Sequence, residues 1–149
     1  MDTKVQDTSN SVRFIAVPTY DVDGMLPKIE HLIIKMVDKY PDEITENYII
    51  GKIISGHFIM LMLIDNEEIV DLLLAHINEC PTGLRLLEIP IQAGKGVIEY
   101  AKPVNQGVMD FAKAMDCSQV RGQSVRPGMV PILKNFGWKI HHPEMMIEV

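Results

Sequence analysis

Apolar and polar positions change their spacing several times along the chain, and each change marks an element. Val12 to Val17 is a short apolar run rich in β-branched residues that stops at Pro18, which predicts a first strand. Ile29, Leu32, Ile33, Met36 and Val37 then recur at helical spacing. They predict a helix from about Met25 to Tyr40, capped by Asp21 or Asp23, with Pro27 in its first turn and Pro41 as its stop. Ile44, Tyr48, Ile49 and Ile53 form the stripe of a second helix, about Asp42 to Ile54, closed by Ser55-Gly56.

From His57 the run becomes continuous and strand-length, ending at Ile64. Asp65-Asn66-Glu67-Glu68 reads as a turn, and Ile69 to Ile77 resumes the apolar pattern, so the pair predicts an antiparallel hairpin. Pro81 and Gly83 punctuate the next turn, before a fourth strand from Leu84 to Ile91. Gln92-Ala93-Gly94-Lys95-Gly96 breaks that strand. Val97, Ala101, Val104, Val108, Phe111, Ala112 and Met115 then mark one face of a long helix. Pro103 and Gly107 predict either a kink there or a regular part that begins near Lys102. A short fifth strand is expected over Cys117 to Val125, a short helix from Pro127 that stops at Gly137, and a final strand over Trp138 to Val149. The predicted order is β-α-α-β-β-β-α-β-α-β. It describes a single α/β domain over residues 12–149, behind a polar lead-in of residues 1–11. A mixed, mostly antiparallel sheet with helices on both faces would bury these stripes.

Composition fits that picture. With 149 residues, 47% hydrophobic and 23% charged, the chain can form one core without metal or disulfide staples. Its longest apolar run, Phe58 to Ile64, is too short to span a bilayer, so no membrane span is expected. The start lacks the charged, apolar and small-residue sequence of a secretory leader. Cys80 and Cys117 read as buried thiols in a reducing cytoplasm. A net charge of −6 argues against nucleic acid as the main partner. The charge is also uneven. Residues 1–83 carry 6 Lys+Arg against 14 Asp+Glu, and residues 84–149 carry 8 against 6. An anionic ligand therefore belongs with the second half.

Several chemistries find little support. Adjacent His141 and His142 on an extended strand point to opposite faces and gather no third ligand, so no metal is expected. His31, His57 and His76 are isolated in sequence and read as structural or surface residues. Cys117 reads as a packed thiol, and neither a Gly-x-Ser-x-Gly elbow nor a Walker lysine loop occurs. Among ten methionines, Met60, Met62, Met109 and Met115 read as core filling. Met145 and Met146 could pack between copies in a homo-oligomer.

The element order, with a glycine-containing turn after the fourth strand, resembles the GCN5-related N-acetyltransferase (GNAT) fold. The residues that carry the resemblance begin with Leu84-Arg85-Leu86-Leu87-Glu88-Ile89, which leads into Gly94-Lys95-Gly96. Phe111 to Cys117, Arg126-Pro127-Gly128-Met129 and Leu133 to Trp138 complete it. The later segments look like a divergent branch found in tailed phages, among virion and assembly proteins. The resemblance implies that acetyl-CoA lies where the fourth and fifth strands part, just past Ile91. Backbone N–H groups after the fourth strand would receive its pyrophosphate. Gly94 and Gly96 fill the small positions of the family's Arg/Gln-x-x-Gly-x-Gly/Ala loop, and Lys95 adds positive charge. The Arg/Gln position falls on Ile91, with Gln92 one residue out of register. Glu88 stands where the family often places the base that receives the acceptor amine's proton. The family's acidic tyrosine position falls on Leu133, so no acid is assigned. Two functions follow from the resemblance: an acyl-CoA-dependent N-acetyltransferase acting on an amine acceptor, or a non-catalytic phage protein that keeps the fold to bind structural partners.

Overall fold

The structure is a computed structural model that describes residues 11–95, 98–122, 130–141 and 145–148. Among these residues five strands form one sheet in sequence order: β1 Val12–Val17, β2 Ile59–Asp65, β3 Glu68–Glu79, β4 Arg85–Gly94 and β5 Gln119–Gly122. Neighbours from β1 to β4 are antiparallel, and β4 pairs β5 in parallel. Among the described residues four α-helices accompany the sheet: α1 Val22–Lys39, α2 Glu46–Ile54, α3 Ala101–Ala114 and α4 Val130–Asn135. This is the expected α/β class, with a mixed and mostly antiparallel sheet.

The sheet is covered on both faces. On one face Ile29, Ile33 and Met36 of α1 and Ile49 and Ile53 of α2 pack on Met60, Met62, Leu72 and Leu74. On the other, Val108 and Ala112 of α3 pack on Leu61, Leu73, Ala75, Leu87 and Ile89. Strands buried on both faces favour apolar residues at successive positions, which accounts for the run Ile59–Ile64 of β2 and for Leu72–Ala75 of β3. The β2–β3 hairpin turns through Asn66 and Glu67, both at positive φ (50° and 68°), the backbone of a tight two-residue turn.

Boundaries moved where local chemistry overrode periodicity. The second helix begins at Glu46 because the Thr45 hydroxyl accepts from the Tyr48 N–H at 3.1 Å and caps it there. The first helix begins at Val22, which moves Pro27 from the first turn to the second. Regular α3 starts at Ala101, close to the expected Lys102. Met109 lies on its outer side, 39% exposed, and is not core.

The final strand expected over Trp138 to Val149 is not formed among the described residues 138–141 and 145–148. Gly137, at φ 93°, ends α4, and the Trp138 N–H returns to the Leu133 carbonyl at 3.1 Å. The Trp138 indole then donates to Asn105 on α3 at 2.7 Å. Beyond it, Ile140, Met145, Met146 and Ile147 are largely exposed among the described residues. The expected continuation of the fifth strand past Gly122 and the Pro127 helix start lie outside the described residues.

Candidate active site

The site is built around one irregularity in β4. Leu74 of β3 pairs with Ile91, and His76 pairs with Glu88, so Ile89 and Pro90 together face the single residue Ala75. This is a β-bulge, and Pro90, which has no N–H to give a ladder, occupies it. The bulge reverses which face each later side chain meets. Leu87 and Ile89 lie in the core under α3, whereas Ile91 and Ala93 lie in the core under α1. A regular strand would have kept all four on one face.

The bulge also decides which amides face outward. Before it, the Arg85 carbonyl accepts from Ser118 at 2.8 Å, so the odd-numbered residues of β4 address β5. After it, the Lys95 N–H donates to the Val70 carbonyl of β3 at 2.9 Å, so Ile91, Ala93 and Lys95 address β3. Gln92 and Gly94 therefore turn their backbone groups away from β3. Parallel pairing with β5 ends at Ile89 with Gly122, while β4 runs on to Gly94. Past that step the outer edge of β4 has no β5 partner among the described residues.

The five expected cofactor residues thus separate. Gln92 and Gly94 offer backbone N–H groups on the open edge. The Lys95 amide is taken by Val70, and its ammonium pairs with Glu68 at 3.0 Å. The Ile91 side chain is buried in the α1 core. Gly96 lies outside the described residues. The Gln92 side-chain amide donates to Asp71 Oδ2 at 3.0 Å, so it does not reach outward. Two cations that sequence spacing did not connect with this loop arrive from α1. Lys35 donates to the Gly94 carbonyl at 3.1 Å, and Lys39 to the Gln92 carbonyl at 2.9 Å.

Gly94 has a structural reason for its missing side chain. A Cβ there would stand 2.6 Å from Asp71 Oδ1 and 2.9 Å from Asp71 Cα, both on the neighbouring strand. Asp71 itself is buried, and Oδ1 has no hydrogen-bond partner. Burial pushes its pKa up to about 6, against the opposing pull of the Gln92 hydrogen bond. Near the start of α3, Tyr100 donates to Asp65 at 2.7 Å, and that bond above all pushes the phenol up to about 12.

Glu88 projects on the face opposite Leu87 and Ile89, at the last regular step before the bulge. Its Oε1 lies 2.8 Å from His76 Nε2, directly across the ladder. The His76 ring is stacked against Phe58, with centroids 6.3 Å apart, and lies 5.5 Å from the His57 ring. Three aromatic rings thus gather on the carboxylate's face. His57 and His76, read as isolated in the sequence, are neighbours here because the strand order aligns the starts of β2 and β4 with the end of β3. The expected acid position, Leu133, lies on α4 and carries no ionisable group. Cys117 sits half-buried against the α3 core, as a packed thiol would. Among the described residues no three His, Cys, Asp or Glu side chains gather as a metal site, and no helix is long and apolar enough to cross a membrane.

A separate groove of about 520 Å³ lies between β1 and α3, lined by Phe14, Leu63, Pro103, Gly107 and Phe111 among others. It is three strands from β4 and brings few polar groups together.

Neither a protein-family model nor a curated protein matches the sequence. Solved structures do. A ribosomal-protein-alanine N-acetyltransferase from Brucella melitensis biovar Abortus 2308 superposes with a TM-score of 0.66 at 14% identity, covering 93% of this chain and 98% of its own. A GNAT family acetyltransferase from Staphylococcus aureus gives a TM-score of 0.63 at 14% identity, over 93% and 99%. An aminoglycoside acetyltransferase from an uncultured soil metagenomic sample, in complex with sisomicin, gives a TM-score of 0.63 at 13% identity, over 95% and 100%. At such identities the likeness establishes the fold: this chain has the GNAT architecture.

Proposed function

We propose that the protein is an acyl-CoA-dependent N-acyltransferase, with acetyl-CoA the simplest donor. The carrying observation is the bulge at Pro90, which turns the N–H groups of Gln92 and Gly94 outward where described pairing with β5 has stopped. Such amides fit a ligand that carries amide and phosphate acceptors in series. The similar solved structures are acetyltransferases, which supports the same reading.

In this reading Gln92 and Gly94 hold the cofactor by backbone N–H groups. Lys35 and Lys39 place positive charge beside it. The cofactor supplies an activated thioester carbonyl. Glu88, on the strand that bears the bulge, receives the proton that the acceptor amine must lose. Proton transfer to a positioned group contributes about 10²–10⁴-fold. Leu133 has no proton to offer a departing thiolate, so no acid is assigned.

The absent hydroxyl at Leu133 favours one other reading, a non-catalytic protein that keeps the fold to bind structural partners. Its phage form rests on the Phe111–Cys117 and Leu133–Trp138 segments.

Thiol release from acetyl-CoA separates the two. The panel is an alanyl peptide, a lysyl peptide, spermidine and an aminoglycoside. Release that depends on one of these amines is expected. Binding of acetyl-CoA without release for any amine would contradict the enzyme and leave the second reading.

A further inference from the structure

We propose that His76 is the positioning residue of the acyl-transfer site, holding Glu88 by one oxygen so that the other faces the acceptor amine. This rests on the N-acyltransferase reading and extends it to a residue outside the β4 loop.

The first support is register. His76 and Glu88 are directly opposed on β3 and β4, and the bulge begins at the next residue of β4. The pair therefore sits on the last rigid step before the open edge. The second is the hydrogen bond. A carboxylate only accepts, so His76 must donate Nε2–H across the 2.8 Å to Oε1. Glu88 Oε2 takes no partner among the described residues and remains the available acceptor.

The third is the far side of the ring. With Nε2 committed to Glu88, Nδ1 is left buried and without a hydrogen-bond partner. A buried polar atom left unpaired destabilises the fold. An aliphatic residue would fill the space beside Phe58 without that cost. Stability alone therefore gives a poor reason for histidine here, whereas holding a carboxylate gives a good one. His57, Phe58 and Glu88 are the groups that face the ring from the α2–β2 connection and from β4. Of these, Glu88 alone meets it through a hydrogen bond.

Two measurements test this. In ¹⁵N-labelled protein, the imidazole nitrogens of His76 should show Nε2 protonated and Nδ1 bare. The reverse tautomer would overturn the proposal whether or not the protein is an enzyme. With acetyl-CoA and whichever panel amine supports turnover, His76→Leu should lower kcat about tenfold and leave the KM for acetyl-CoA unchanged. His76→Gln, which restores a donor, should recover most of that loss. A His76→Leu variant with wild-type kcat, or a loss that His76→Gln does not rescue, would overturn the proposal and leave the acyltransferase standing. A wild-type protein that turns over no amine would overturn the acyltransferase reading, and this proposal with it.

Discussion

Gly94 of β4 lies directly against Asp71 of β3, so closely that the glycine's missing Cβ would stand 2.6 Å from the carboxylate oxygen Oδ1. The glycine expected to admit a cofactor is thus demanded first by the sheet itself. Gly94→Ala should destabilise the protein by about 1–3 kcal/mol, the usual range for overpacking a filled core. Denaturant unfolding checks this, and an alanine variant as stable as wild type would contradict the packing.

Asp71 should make stability depend on pH. Its carboxyl is pushed from 3.8 to about 6 by burial, so the folded state holds its proton where the unfolded state has released it. Stability is therefore greatest below the unfolded value and falls as pH rises from about 4 to about 6. The loss is of order 3 kcal/mol. Asp71→Asn cannot ionise and should not show this fall. Urea midpoints at pH 4.5 and 7.5 for the two proteins check it, and parallel pH profiles would contradict it.

Gly107 interrupts the apolar pattern of α3, yet the helix runs on from Ala101 to Ala114. Its backbone lies on the Phe14 ring, and a Cβ would overlap the ring at Cγ. Alanine ordinarily gains about 1 kcal/mol over glycine inside a helix. Here the ring stem must shift, so Gly107→Ala should lower stability. A Phe14→Leu background should relieve part of the loss. Equal effects of Gly107→Ala in both backgrounds would contradict the contact.

Lys35 and Lys39 cap the two outward carbonyls of β4. A cofactor that pairs with this edge meets their ammonium groups. Replacing both by alanine should weaken acetyl-CoA binding about five- to tenfold and flatten its salt dependence, as expected for exposed charges. Unchanged affinity at low salt would show that they serve only the helix–sheet contact.

The fold was largely legible because its main elements are strongly patterned. Helix stripes such as Ile29 to Met36 and the apolar runs of β2 and β3 admit few alternatives. The C-terminal strand was misread because Ile140 and Met145 to Ile147 look like strand residues yet pack on nothing described. The site was legible only in outline. Glu88 and the Gln92–Gly96 segment could be singled out, but no local pattern marks a bulge. Pro90, inside an apolar run, was the signal available, since proline in a central ladder points to an irregularity. His76 and Asp71 owe their importance to cross-strand register, and Lys35 and Lys39 to helix-on-sheet packing. Neither relationship is written in sequence spacing.

The most direct test is the melting temperature of the wild-type protein with and without acetyl-CoA, with free CoA and ATP as controls. A ligand at ~100 times its dissociation constant adds about 2.7 kcal/mol. A rise of several degrees with acetyl-CoA and CoA, and little with ATP, is the expected result. No shift at millimolar acetyl-CoA would contradict a cofactor on the edge of β4.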